Sequence, residues 1–96
     1  MMEIIKILTP KRDLIHLALL KVKKHILKNG DDLALKILES QLTWLLDVIE
    51  KEKGDIAKLK KVNLGQLAVR EIETLDFSLA EDLYDIQETL EALKKS

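Results

Sequence analysis

Apolar residues recur every three or four positions through most of the chain, which is the spacing of one face of an α-helix. The first such stripe follows Thr9 and Pro10, a pair suited to capping and starting a helix. It stops at Asn29 and Gly30, which both tolerate the left-handed conformation of a helix end. A helix over about residues 10–29 is therefore predicted, with a buried stripe of Ile15, Ala18 or Leu19, Val22 and Ile26, widened by Leu20 and Leu27.

A second stripe follows almost at once and predicts a second long helix. Either Asp31 or Asp32 is expected to cap it, and it should end near Lys53 and Gly54. Its buried positions are Leu35, Leu38, Leu42, Leu45 and Ile49. Trp44 lies beside this stripe and is interpreted as a core residue. Because so few residues join the two helices, they should be antiparallel neighbours.

The stretch from Val62 to Leu83 contains two predicted helix starts within a short distance, unlike the two long stripes before it. After a short turn capped by Asp55, Asn63 and Gln66 have the spacing of a capping box and predict a helix from Leu64 to about Leu75. The apolar face of this helix would be Leu64, Leu67, Ala68, Ile72 and Leu75. Gly65 in its first turn disfavours helix and indicates either close packing of another helix or the approach of a partner's backbone.

The last predicted helix begins at one of two caps. Asp76 and Ser78 both qualify, and Glu81 stands three residues after Ser78 as in a capping box. A seam of apolar residues follows at spacings of four and three: Leu79, Leu83, Ile86, Leu90 and Leu93. The chain is thus predicted to be all-α, a small helical bundle of four main helices with short connections, in a single domain over residues 1–96.

The charge is nearly balanced overall but unevenly distributed. Among 96 residues the net charge is −1, which argues against a nucleic-acid binder. Residues 1–30 carry seven basic side chains, whereas residues 71–91 carry eight acidic ones and no basic one. Either the two ends attract each other, or the acidic end attracts a basic partner. The start MMEIIKIL is too short and too charged for a signal peptide, and no apolar run is long enough to span a membrane, so a cytoplasmic protein is expected.

No motif for catalysis, metal binding or cofactor binding is found. The chain has no cysteine, no glycine-rich phosphate loop and no nucleophile or zinc motif. His16 and His25 would point in opposite directions from one helix and cannot share a metal; His25 is expected to be solvated and His16 to lie at the rim. The acidic run at Glu81, Asp82 and Asp85 is interpreted as a solvated face. An enzyme is not expected.

The Val62–Leu83 stretch resembles a known family. The likeness is carried, without a gap, by Leu64, Gly65, Ala68, Val69, Glu71, Asp76, Leu79 and Leu83. In this register the chain resembles the small helical immunity proteins that protect bacteria from NAD(P)+-hydrolysing toxins of type VI secretion systems. A weaker likeness extends upstream to Gln41, Leu42 and Trp44, and the pattern departs at Phe77, where the family would have a proline. A proline there would favour Asp76 as the cap.

The resemblance implies a function that needs no chemistry in this chain: binding a cognate toxin domain and obstructing its active site. From exposure and charge, the surface expected to bind the toxin is Glu71, Glu73 and Asp76, with Arg70, Glu81 and Asp82 at its edge. One alternative is a structural adaptor or homodimer joined through Ile4, Ile5, Ile7 and Leu8. A weaker one is a nucleic-acid regulator that uses the face of Lys21, Lys23, Lys24 and Lys28.

Overall fold

The computed structural model describes residues 2–30 and 32–94, and every regular element within them is helical. The elements are α1 (Met2–Leu8), a 3-10 turn (Thr9–Lys11), α2 (Arg12–Asn29), α3 (Leu33–Lys51), α4 (Ile56–Lys61), α5 (Leu64–Leu67), a π-helical segment (Ala68–Ile72) and α6 (Phe77–Lys94). The all-α prediction is confirmed. The four main helices are α2, α3, α5 with its π-helical extension, and α6.

One hydrophobic core joins these elements. Helix α2 packs mainly against α3 and also against α6, while α5 and the π segment pack against α6. The completely buried side chains include members of all three predicted long stripes: Ile15, Leu38, Leu42, Leu45, Leu79, Leu83, Ile86 and Leu90. The prediction that Leu20 and Leu27 widen the buried stripe of α2 is wrong, because both side chains face solvent. Trp44 is partly buried against this core, in keeping with its predicted role, and the Lys58 ammonium lies 5.2 Å from its ring centroid.

The connection between α2 and α3 follows the predicted chemistry. Gly30 adopts φ +74° and donates its N–H to the Ile26 carbonyl at 2.8 Å, which closes α2. Asp32 caps α3, since its Oδ1 accepts a hydrogen bond from the Leu35 N–H at 3.1 Å. Asp31, the alternative cap, lies outside the described residues.

The beginning of the chain differs from the prediction. Helix α1 already precedes Thr9, and the Thr9 hydroxyl donates a hydrogen bond back to the Ile5 carbonyl at 2.6 Å. The prediction that Thr9 caps α2 is therefore wrong, because its hydroxyl serves the preceding helix. Leu8 is completely buried in the core, and Ile4 and Ile5 pack against it. Met1 lies outside the described residues.

The start of α5 also differs. Asn63 occupies the capping position but its side chain makes no capping hydrogen bond. Instead, Gln41 Nε2 donates to Asn63 Oδ1 at 2.8 Å, and the Asn63 N–H donates to Gln41 Oε1 at 3.2 Å. The predicted capping box with Gln66 is wrong because the Asn63 side chain is hydrogen-bonded to Gln41 of α3 instead. The two hydrogen bonds between Gln41 and Asn63 hold the start of α5 against α3.

Candidate partner-binding surface

The π segment presents one apolar side to the core and a charged side to solvent. The Glu73 N–H donates to the Ala68 carbonyl at 2.9 Å, a bond that spans five residues, and Ala68 and Ile72 are buried. Arg70 and Glu71 are exposed on the other side. The helix closes at Ile72, so the α-helical period does not reach Leu75. Leu75 is 44% exposed, and the prediction that it belongs to the apolar face is wrong.

Asp76 links α6 to α2. Its Oδ1 accepts a hydrogen bond from the Leu79 N–H at 3.1 Å, which makes it the cap of α6 rather than Ser78. Its Oδ2 lies 2.8 Å from His25 Nε2, and because a carboxylate can only accept, the imidazole donates. The prediction that His25 is solvated is wrong: its ring is largely covered where it meets Asp76.

These contacts lower the pKa of Asp76 below its ordinary value of 3.8. The hydrogen bond from His25 is the largest cause. The Leu79 N–H and the positive charges of His25 and Lys21 act in the same direction, whereas burial raises the pKa and opposes them. Asp76 is therefore held as a carboxylate between the two helices.

Two ion pairs continue the link between α2 and α6. Lys21 Nζ lies 2.6 Å from Asp82 Oδ2 and also donates to Ser78 Oγ at 2.9 Å. Lys11 Nζ lies 2.8 Å from Asp85 Oδ1. The expected attraction between the basic first third of the chain and its acidic end is thus confirmed within the chain.

On its other side, α6 is joined to α5 and the π segment. The Tyr84 hydroxyl donates to Glu73 Oε2, and this hydrogen bond, together with burial and the negative charge of Glu73, raises the pKa of Tyr84 to about 12. The Gly65 N–H donates to Gln87 Oε1 at 3.3 Å. A Cβ on Gly65 would lie 3.1 Å from Gln87 Cγ, so this glycine permits the close approach of α6, as the packing interpretation predicts.

The six residues predicted to bind a partner divide into two groups. Arg70, Glu71, Glu73 and Glu81 are exposed. Asp76 and Asp82 are only partly exposed, and both carboxylates are engaged inside the chain, Asp76 with the His25 ring and Asp82 with the Lys21 ammonium.

Large exposed apolar side chains near this surface were missed from the sequence. Val69 is 61% exposed and Phe77 is 59% exposed. Neither residue belongs to a predicted buried stripe, and this was the only sign in the sequence that both would be exposed.

The described residues provide neither a cluster of metal ligands nor a helix suited to a membrane. Within residues 2–30 and 32–94, no group of three or more His, Asp or Glu side chains is placed to hold a metal ion. None of the described helices combines the length and apolar character needed to cross a membrane.

Comparison with known proteins gives one family match. Residues 11–92 match the model of the Tsi6 family, type VI secretion immunity protein 6. The matched range extends from the 3-10 turn before α2 into the last turn of α6 and includes the whole surface described above. No curated protein and no solved structure matches the chain at a significant level.

Proposed function

The chain belongs to the Tsi6 family of non-enzymatic immunity proteins, which inhibit a cognate type VI secretion effector, and from this premise we propose how it acts. The cognate effector is an NAD(P)+ glycohydrolase, and the chain binds it over its active-site cleft and keeps the dinucleotide out. We place this protection in the cytoplasm, where the effector would meet its substrate. The enzymatic activity of the effector follows from the resemblance of the Val62–Leu83 stretch.

The observation that supports the position of the binding surface is the exposure of Val69 and Glu71. Eight residues carry the family resemblance, and six of them have an evident role in this fold. Four are buried, Gly65 admits α6, and Asp76 caps α6. Val69 and Glu71 are exposed, and among the residues that the structure describes the Glu71 carboxylate makes no hydrogen bond or ion pair. A role in binding would explain both.

The surface around them is rigidly supported. The π segment is fixed by the core below it, by the Tyr84–Glu73 hydrogen bond and by the Gly65–Gln87 contact. A surface that is ordered before binding loses less conformational entropy when the partner docks. Its exposed acidic side chains, such as Glu71, would speed association with a basic partner and disfavour acidic ones.

Co-expression tests the function directly. Cells that express the toxin domain encoded beside this chain's gene should survive only when the chain is also present. Cells that die equally with and without the chain would contradict the assignment to this effector.

Charge reversal tests the surface. The Glu71→Lys plus Glu73→Lys variant should weaken binding, whereas Glu50→Lys plus Glu52→Lys on the distant end of α3 should not. Tyr84→Phe removes the hydrogen bond to Glu73 but leaves the charge of Glu73 in place. This variant therefore separates the effect of the local structure on binding from the effect of the charge. Unchanged affinity in the Glu71 and Glu73 double variant would remove this edge from the interface.

The structural adaptor or homodimer has less support. Leu8 is completely buried and Ile4 and Ile5 pack against the core, so the apolar segment proposed for self-association is mostly used within the chain. Ile7 is the exposed apolar residue it retains. Light scattering of the whole chain would detect a dimer.

A further inference from the structure

Six of the eight large exposed apolar side chains among the described residues fall into two regions, and the other two, Ile7 and Leu33, belong to α1 and α3. One follows the outer side of α2 and contains Leu17, Leu20 and Leu27, with Lys23 and Lys24 beside them. The other lies between the π segment and α6 and contains Val69, Leu75 and Phe77. Single exposed apolar residues are ordinary on protein surfaces, but groups of them mark contact sites. The two regions differ in charge and in residue type.

Contacts on α6 locate Val69 within the second region. Gly65, Val69 and Glu73 follow one another at intervals of four, so they lie along one side of α5 and the π segment. Gly65 contacts Gln87, and Glu73 contacts Tyr84. Val69 must therefore lie beside α6 between these two contacts, with most of its side chain in solvent.

Phe77 and Tyr84 continue this region along α6. They are seven residues apart, on the same face of the helix and about 10 Å from each other along its axis. Phe77 is exposed, while Tyr84 is partly covered. Val69, Phe77 and Tyr84 thus border one elongated strip, called here the α6 outer patch.

Acidic side chains surround the α6 outer patch. A shallow depression is lined by Ser78, Glu81, Asp82, Tyr84, Asp85 and Glu88. Asp82 and Asp85 are paired with lysines of the first third of the chain. Glu81 and Glu88 have no cationic side chain within 4.0 Å among the residues that the structure describes. The patch therefore combines an apolar centre with uncompensated negative charge at its edge.

We propose that the α6 outer patch is the centre of the effector-binding surface, and that it receives a basic surface of the effector whose middle is apolar. This inference rests on the proposed function. Protein interfaces commonly have an apolar, aromatic centre and a polar rim, and complementary charge speeds their formation. The α2 region offers no aromatic side chain, whereas the α6 outer patch contains Phe77 and Tyr84, and aromatic residues are enriched at the centre of interfaces. The lysines of the α2 region would select an acidic partner.

The test measures binding of the purified toxin domain encoded beside this chain's gene by isothermal titration calorimetry. Val69→Ser plus Phe77→Ser should raise Kd about 50-fold or more, since truncation of central anchors has large effects. The matched control, Leu20→Ser plus Leu27→Ser on α2, should change Kd by less than about threefold. The control residues are comparably exposed, at 51% and 88%. Equal thermal melts for the two variants would verify that both fold.

The outcomes separate the inference from the proposed function. If the unaltered chain binds the toxin domain and both variants bind it as tightly as the unaltered chain does, the α6 outer patch is not the centre and the inference is overturned. If only the α2 variant loses affinity, the effector occupies the basic face and the inference is again overturned. If the unaltered chain does not bind the toxin domain, the proposed function itself fails.

The charge of the partner is tested by a second variant. Glu81→Lys plus Glu88→Lys should slow association by about tenfold at low salt and flatten its salt dependence, because it removes the attraction for a basic surface. Both side chains are exposed, and neither takes part in the ion pairs to α2. Faster association would show that the partner's surface is acidic and would overturn the inference.

Discussion

Replacing Asp76 should destabilise the chain more than replacing any other single exposed or half-exposed polar residue of α6. Asp76 combines two interactions that lie in different parts of the structure. It caps the first turn of α6 through the Leu79 N–H, and it accepts a hydrogen bond from His25 on α2. Asp76→Ala removes both at once.

The expected loss follows from these two contacts. Loss of a helix cap costs about 1 kcal/mol. A hydrogen bond to a charged group contributes about 1.5–3 kcal/mol when well shielded, and partial exposure of His25 and Asp76 reduces this to about 1–2 kcal/mol. Asp76→Ala should therefore lower the free energy of unfolding by about 2–3 kcal/mol, a large part of the stability of a small domain.

Two related variants separate the two contributions. Asp76→Asn preserves a good capping oxygen but removes the negative charge that faces His25 and Lys21, so it should cost about 1 kcal/mol. Ser78→Ala removes a hydroxyl that accepts from Lys21 and does not cap α6, so about 0.5 kcal/mol is expected. Urea unfolding, followed by circular dichroism and by the fluorescence of Trp44, the only tryptophan, measures all three.

The same site predicts a dependence on pH. Because the folded state lowers the pKa of Asp76 below 3.8, its contribution is fully present above that value and is lost as pH falls through the lower, folded pKa. The stability difference between the unaltered chain and Asp76→Asn should thus shrink as the pH falls from above 3.8 to below it. If Ser78→Ala costs as much as Asp76→Ala, or if the pH profiles of the unaltered chain and Asp76→Asn run parallel, the assignment of cap and link to Asp76 is refuted.

Three further substitutions test the fold around the surface, each by urea unfolding. Gly30→Ala should cost about 1–3 kcal/mol because the backbone there has φ +74° and ψ −139°, a combination that residues with a Cβ rarely adopt, and a neutral result would contradict this helix end. Ile72→Ala should cost about 2–5 kcal/mol because the side chain is buried beneath the π segment, and a loss below 1 kcal/mol would indicate that the segment is not packed on the core. Gln41→Ala should cost about 1–2 kcal/mol by leaving Asn63 without its partner on α3; an effect no larger than that of Gln66→Ala, which is exposed, would count against this contact.

The helices and much of the core could be predicted from the sequence because periodicity is a local signal. The stripes in α2, α3 and α6 have the period of an α-helix over four or more turns, and their central leucines and isoleucines are buried as expected. Gly30 and Asp32 mark helix ends for reasons contained within three or four residues of chain. Such signals do not depend on the remainder of the fold.

Two of the errors involve contacts between residues far apart in sequence. His25 meets Asp76 across 51 positions, and Gln41 meets Asn63 across 22. Nothing in the local pattern around His25 or Asn63 distinguishes a tertiary partner from solvent or from a capping role. Leu75 was misplaced for a different reason, since the π segment ends the helix and interrupts the period used to assign it to the core.

The binding surface predicted from the sequence stays a prediction, and it did not include the exposed apolar side chains beside it. Acidic residues between Glu71 and Asp82 stand out in the sequence because no basic residue separates them, and that indicates a surface. The sequence could not show that α2 already pairs with Asp76 and Asp82. Nor could it show that Val69 and Phe77 remain exposed beside the unpaired acids.

Obstruction of the effector's active site is tested most directly by the NAD+ hydrolysis rate of the toxin domain encoded beside this chain's gene, measured while the chain is added. We expect hydrolysis to fall linearly and to be abolished when the chain and the toxin domain are present in equal amounts, with excess NAD+ competing against the chain. An undiminished rate at several-fold excess of the chain, with the complex shown to form, would contradict obstruction of the active site.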